Sequence, residues 1–191
     1  MQKYKLTSET KEEYGVKLYR IKAIRDFGDI SKGDDGGWIE KEDNLSQEDN
    51  AWVYGNAQVY GNAWVSGNAW VSGDALVYGN AQVYGNAQVY GDALVSGDAW
   101  VYGNAQVYGN AWVSGDAQVY GDAWVCKQKL MGGYFYHTKR KSEKIESIET
   151  YDDGYETLCK EPKIEEEEKT QNKRVRIKLD DGQELEGTLI E

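Results

Sequence analysis

The chain holds one histidine, His137, and two cysteines, Cys126 and Cys159, so acid–base and nucleophilic chemistry have few residues to draw on. His137 lies in Tyr134-Phe135-Tyr136-His137-Thr138, just before the basic run Lys139-Arg140-Lys141. An imidazole titrates near neutrality and suits a general base. A strand-end or surface histidine is the plainer reading, which leaves His137 as a weak catalytic candidate. Neither cysteine has a partner base nearby in sequence, and both read as reduced structural thiols. A zinc site for hydration chemistry needs three histidine ligands, so that option fails on count. No Lys follows a glycine-rich loop at phosphate-loop spacing. Metals and organic cofactors are therefore not expected. Trp and Tyr are plentiful, 7 and 15 residues, and such rigid amphipathic rings serve recognition better than catalysis.

These residues sit on a strict repeat. Thirteen six-residue units run from Asp49 to Cys126, reading Gly-(Asn/Asp)-Ala-x-Val-(Tyr/Ser), except that the first lacks its Gly and the last ends in Cys126. In an extended segment Ala and Val, two apart, point to one side and x to the other. Gly-(Asn/Asp) is turn chemistry, because these residues tolerate positive φ. Each hexad is thus a short strand plus a corner, and three hexads close a triangular coil of eighteen residues. A unit this short must stack to bury its apolar side. The fold expected is all-β, a single-stranded parallel β-helix of about five coils. With strands ~4.8 Å apart it would be roughly 20–25 Å long.

Flanking segments complete the layout. Residues 1–36 are expected to form an N-terminal β cap. In it, the alternating Val16–Ile24 makes a strand that pairs with Tyr4-Lys5-Leu6 across a polar Thr7–Gly15 turn. The helix is assigned to 37–132, with clear hexads at 49–126. Two degenerate units, 37–42 and 43–48, put Ile39 and Leu45 in the Ala column. Lys127–Gly132 forms one more degenerate unit, with Leu130 at x and Met131 at the Val position. Residues 133–160 read as a small β-rich segment with strands Tyr134–Thr138, Lys144–Glu149 and Tyr155–Lys160. Residues 161–172 read as an acidic linker and 173–191 as a β-hairpin. Caps are expected because both ends of a β-helix expose unpaired edges.

Net charge is −11. Residues 49–126 contribute six Asp and no Lys, Arg, Glu or His, so the repeats are not expected to bind nucleic acid, which needs cations to grip phosphate. Single carboxylates one coil apart do not make a metal cage. The start lacks a basic-then-apolar leader, and no segment approaches the ~20 apolar residues of a spanning helix. A soluble cytoplasmic protein without membrane association is expected.

Stacking by eighteen sorts the x residues into three outward ladders. The first face carries Trp52, Trp70, Gln88, Gln106 and Trp124. The second carries Gln58, Leu76, Leu94, Trp112 and Leu130. The third carries Trp64, Gln82, Trp100 and Gln118. Only the second offers a continuous apolar strip, the mark of an interface or of a surface covered by the chain's own tail. Tyr90 and Tyr108 belong to corner ladders that either stack ring on ring or recognise a partner. Lys139, Arg140 and Lys141 form a basic patch able to meet a nucleotide, though a solvated turn is the plainer reading.

The hexads resemble the hexapeptide-repeat superfamily of left-handed parallel β-helices, in which an aliphatic residue recurs every six with a small residue two before it. In the common family pattern Gly follows the aliphatic residue directly, whereas here a Tyr or Ser intervenes. The front end, Leu18–Ile30, Lys32–Glu40, Asn44-Leu45-Ser46 and Asn50–Val53, is similar to phage and prophage hexapeptide-repeat proteins, over about residues 3–126. The resemblance implies left-handedness, a bacterial-host cytoplasm and, since trimers are common in the superfamily, a homo-oligomer.

The expected function is a non-enzymatic binding scaffold presenting aromatic and acidic faces to a host or phage protein, including components of host defence. The alternative is an acyl-CoA-dependent acyltransferase, an activity frequent in the superfamily. Such enzymes place a histidine on or near the coils and build an acceptor site from interrupting loops, but no loop breaks residues 49–126. A DNA mimic or a nucleotide- or sugar-binding protein is the third reading. Six Asp over 78 residues is sparse for mimicry of DNA, which carries one charge per ~1.7 Å.

Overall fold

The computed structural model describes residues 2–127, 129–137, 174–178 and 184–188. The hexads form the expected parallel β-solenoid, with each repeat Val from Val53 to Val107 pairing with the Val eighteen residues on. Each x-Val dipeptide is a two-residue strand, and successive strands fall on three sheets in rotation. The ladder bonds repeat faithfully. Trp64 N–H donates to the Ala81 carbonyl (2.9 Å), Tyr60 N–H to Val77 (3.0 Å) and Asn62 N–H to Gly79 (2.7 Å). Ala and Val fill the interior at 0–1% exposure from Ala51 to Val125. About five coils result, with a single short 3-10 turn at Glu42–Asn44 among the described residues.

Glycine turns the corners of the regular coils. From Gly55 to Gly121 the hexad glycines have φ between 61° and 74°. Asp49, standing where the first unit lacks its Gly, adopts φ 54°, a region that Asp visits more readily than most side chains.

The N-terminal strands β1 (Tyr4–Glu13) and β2 (Val16–Ala23) form an antiparallel hairpin, and β2 pairs with β3 (Asp35–Ile39). Through β3 the hairpin joins the sheet carrying the second face. The expected Thr7–Gly15 turn is wrong. Thr7–Glu13 continues β1, and only Tyr14 (φ 52°) and Gly15 (φ 75°) turn the chain. Two residues at positive φ match the right-handed strand twist. Between Leu6 and Thr10 the register shifts, so β1 carries two more residues than β2 opposite. That bulge hid the strand, because it broke the alternation.

Two registers are also corrected. Ile39 pairs with Val59, and Leu45 bridges to Val65, so both stand in the Val column rather than the Ala column. Ser46 N–H bonds to Val65 and Asn50 N–H to Gly67, which leaves two extra residues between Ser46 and Asn50. At the other end Leu130 pairs with Val113 and Lys129 with Trp112. Leu130 therefore sits in the Val column and is absent from the outward strip, because the coil has shortened by one residue. Tyr134–His137 then pairs with Gln118–Gly121, extending the third sheet.

Arg174–Lys178 and Glu184–Thr188 form the expected antiparallel hairpin. The assigned strands Lys144–Glu149 and Tyr155–Lys160 and the acidic linker lie outside the described residues. No described helix is long and apolar enough to cross a membrane.

Candidate functional site

The extra loop between Ser46 and Asn50 is held by the N-terminus. Lys3 is fully buried, and its Nζ donates to the carbonyls of Ala51 (2.7 Å), Glu48 (3.0 Å) and Asp49 (3.4 Å). Gln47 Oε1 accepts from Lys3 N–H (2.9 Å) and its Nε2 donates to the Tyr4 carbonyl (3.3 Å). Burial lowers the Lys3 pKa to about 8, against the raising influence of Asp49. This cluster closes the open end of the first coil, where backbone carbonyls have no further coil to pair with. Nothing in the sequence marks Lys3 among its neighbours.

The first face is partly consumed by the same segment. Trp52 is completely buried, with Phe27 edge-on at 5.3 Å and Tyr4 at 6.1 Å. It serves the cap and is unavailable as a surface anchor, contrary to the expectation. Its indole Nε1 has no hydrogen-bond partner among the described residues. Trp70 and Trp124 are half-buried, with Gln88 and Gln106 between them.

The second face runs Trp38, Gln58, Leu76, Leu94, Trp112, Lys129 in register. Its ends are engaged by the chain's own cations. Lys11 Nζ and the Arg20 guanidinium lie 4.8 and 5.2 Å from the Trp38 ring, and Lys129 Nζ lies 4.0 Å from the Trp112 ring. Between them Leu76 and Leu94 are half-buried and Trp112 is 39% exposed. Corner residues flank this strip with acid. Asp74 and Asp92 stack on one side in successive coils, and Asp98 and Asp116 on the other, all exposed.

The third face runs Trp64, Gln82, Trp100, Gln118, Tyr134. Trp64 is 46% exposed, Trp100 38% and Tyr134 72%, so sequence reasoning missed its last member, Tyr134. That residue falls on this face because the chain between Gln118 and Tyr134 is two residues shorter than a full coil.

Corner residues stack as side-chain ladders. Tyr84, Tyr102 and Tyr120 lie parallel with ring centroids 5.0 Å apart, and so do Tyr90 and Tyr108. Tyr60 and Tyr78 repeat the arrangement at 5.1 Å. Burial raises the Tyr60 pKa to about 12, helped by Tyr78, and raises Tyr84, Tyr90 and Tyr102 as well, so these phenols stay neutral at physiological pH. Asn50, Asn68, Asn86 and Asn104 each donate Nδ2 to the next coil, ending on Asp122. Stacked side chains thus account for the corner positions Tyr90 and Tyr108.

His137 ends a strand opposite Gly121. Lys139, Arg140, Lys141 and Cys159 lie outside the described residues. Cys126 is buried and disulfide-bonded, which replaces the expected reduced thiol. Among the described residues no three His, Cys, Asp or Glu converge as metal ligands. A depression of about 460 Å³ lies against the β1 bulge, lined by Lys5, Leu6, Thr7, Ser8, Glu9, Lys22 and Asp35. It holds the ion pair Lys22–Asp35 at 2.9 Å.

Stacked coils with an Ala/Val interior and variable outward ladders define a β-solenoid repeat protein. The chain is similar to the YdcK beta solenoid repeat, whose family model matches residues 57–73, 69–85, 87–103 and 105–121. The last three matches begin eighteen residues apart, one coil each. No curated protein matches the chain.

Proposed function

We propose that this chain is a non-enzymatic binding scaffold that presents the second face to a protein partner. The observation that carries the reading is the strip Leu76, Leu94, Trp112, continuous over three coils and partly exposed. Apolar strips of this kind mark interaction surfaces. The flanking Asp pairs select a partner segment that carries basic groups beside apolar ones. Uninterrupted coils from Asp49 to Cys126 leave a wall in that span and no loop-built acceptor pocket, which favours binding over acyl transfer. The resemblance of the front end supplies the finer setting: a left-handed helix of phage or prophage type in the cytoplasm of a bacterial host, assembled as a homo-oligomer with trimer favoured. A host-defence component is the partner class that this setting suggests.

The test is native mass spectrometry of purified protein beside affinity capture from bacterial lysate, each repeated with Leu94→Asp. The variant is expected to lose either the oligomer or the captured partner while keeping its β-sheet circular dichroism. Unchanged mass and unchanged capture would remove the second face from consideration.

A further inference from the structure

The third face differs from the second in a way that protein docking does not require. Aromatic residues occupy every second coil, Trp64, Trp100 and Tyr134, and amides occupy the coils between, Gln82 and Gln118. With coils ~4.8 Å apart, like residues recur roughly every 10 Å along a straight line. We infer that this face is a binding site for a neutral, linear, β-(1→4)-linked glycan.

The chemistry fits at three points. An extended chain of β-(1→4)-linked pyranoses advances by about one coil per ring and turns over from each ring to the next. Alternate rings therefore present the same C–H face at alternate coils, where an indole or phenol face, negative at its centre, receives it. The intervening Gln side chains offer donors and acceptors to the hydroxyls of the rings between. Tyr102 donates its hydroxyl to Gln118 Oε1 (3.3 Å), which leaves the Gln118 amide N–H groups to face a ligand.

The central platform, Trp100, is also held in place. Tyr84 packs edge-on against Trp100 at 6.4 Å, and the stacked Tyr84, Tyr102 and Tyr120 form a rigid rail beside it. Preorganised rings lose little freedom on binding. Charge narrows the ligand further. Residues 49–126 carry no Lys, Arg or His. Lys41 reaches the edge of this face at Asn62 (3.4 Å), beside Trp64, but Asp98 and Asp116 border it farther along. Phosphorylated, sulfated or uronic chains are therefore disfavoured over most of its length, while neutral hydroxyl donors are accepted. One ring per coil from Trp64 to Tyr134 calls for a chain of five or more sugars.

The experiment uses the full chain with cellohexaose, chitohexaose and xylohexaose, followed by calorimetry and tryptophan fluorescence. At least one hexasaccharide is expected to bind, about tenfold or more tighter than its own disaccharide. Stacking platforms contribute on the order of a tenfold change each. The double variant Trp64→Ala/Trp100→Ala should therefore weaken binding by about 100-fold with unchanged circular dichroism. Trp64→Tyr/Trp100→Tyr should restore most of it, and Trp112→Ala on the second face should leave it intact. No binding of any hexasaccharide at millimolar concentration would overturn the proposal. So would equal affinity for disaccharide and hexasaccharide, or full binding by the double alanine variant. Displacement of the glycan by a Lys/Arg peptide would reassign the face to a protein partner.

Discussion

Replacing Gly97 with Ala tests how tightly the coils are stacked. Gly97 has φ 67°, and a Cβ there would lie 2.9 Å from both the N and the O of Gly115, and 3.2 Å from its Cα. All three are backbone atoms, so no side chain can swing aside. Gly55 has nearly the same φ, 66°, but its nearest atoms would be the Gly73 O and N at 3.5 and 3.7 Å, ordinary contact. Gly55→Ala should therefore cost only the left-handed conformation, about 1–2 kcal/mol. Gly97→Ala should cost that plus about 1–3 kcal/mol for forcing apart a close-packed stack. Urea titrations followed by tryptophan fluorescence and circular dichroism should rank the midpoints wild type, Gly55→Ala, Gly97→Ala. Asn at position 97 tolerates the conformation but still carries a Cβ, so it should recover only part of the loss. Equal midpoints for the two alanine variants would show that the coils relax freely and that glycine is required for φ alone.

Lys3 predicts a pH dependence. Its native pKa, about 8, lies below the 10.5 of a solvent-exposed lysine, so between those values the unfolded chain binds the extra proton and stability rises with pH. Above about pH 10 the sign reverses, because burial holds the Tyr60 phenol at about 12 while unfolded tyrosines ionise. Denaturation midpoints from pH 7 to 11 should climb and then fall in the wild type, and Lys3→Met should abolish the climb. Trp52→Ala should cost about 3–5 kcal/mol as a buried large-to-small change and expose residues 5–33 to limited proteolysis. Asp92→Asn should raise the midpoint slightly at low salt by removing the charge facing Asp74, and the gain should vanish at high salt.

From Ala51 to Val125 the fold was legible in the sequence, because Ala and Val in fixed columns admit only one inward register. The ends were not. The extra residues between Ser46 and Asn50 contain Gln47, Glu48 and Asp49 and carry no apolar marker, so counting in sixes ran straight through them and misplaced Ile39 and Leu45. Past Cys126 the coil shortens while Leu130 remains aliphatic, and an aliphatic residue satisfies either an inward or an outward position. The outward ladders of the candidate site were read correctly wherever the period held. What escaped was coverage: Trp52 is covered by Tyr4 and Phe27, which belong to no repeat, and the Lys3 ammonium acts through carbonyls that the loop brings to it and through the Phe27 ring 5.0 Å away.

The outward register also carries information that folding does not demand. Gln, Leu and Trp all occupy x with Val buried beside them at 0% exposure, so the interior is indifferent to the choice. An indifferent position should vary without order. Instead the second face keeps Leu76, Leu94 and Trp112 together, and the third alternates Trp64, Gln82, Trp100, Gln118 in strict turn. The stacked Asp pairs also fall at the two corners of the second face, where like charges one coil apart repel and cost stability. A scaffold alone would have used Asn there, as it does at Asn50, Asn68, Asn86 and Asn104, where each amide donates to the next. Asp74 and Asp98 do accept from Asn56 and Asn80 (3.0 and 2.8 Å), so the bond is forgone only at the Asp74–Asp92 and Asp98–Asp116 steps, and those are the carboxylates that the proposed partner of the second face would meet.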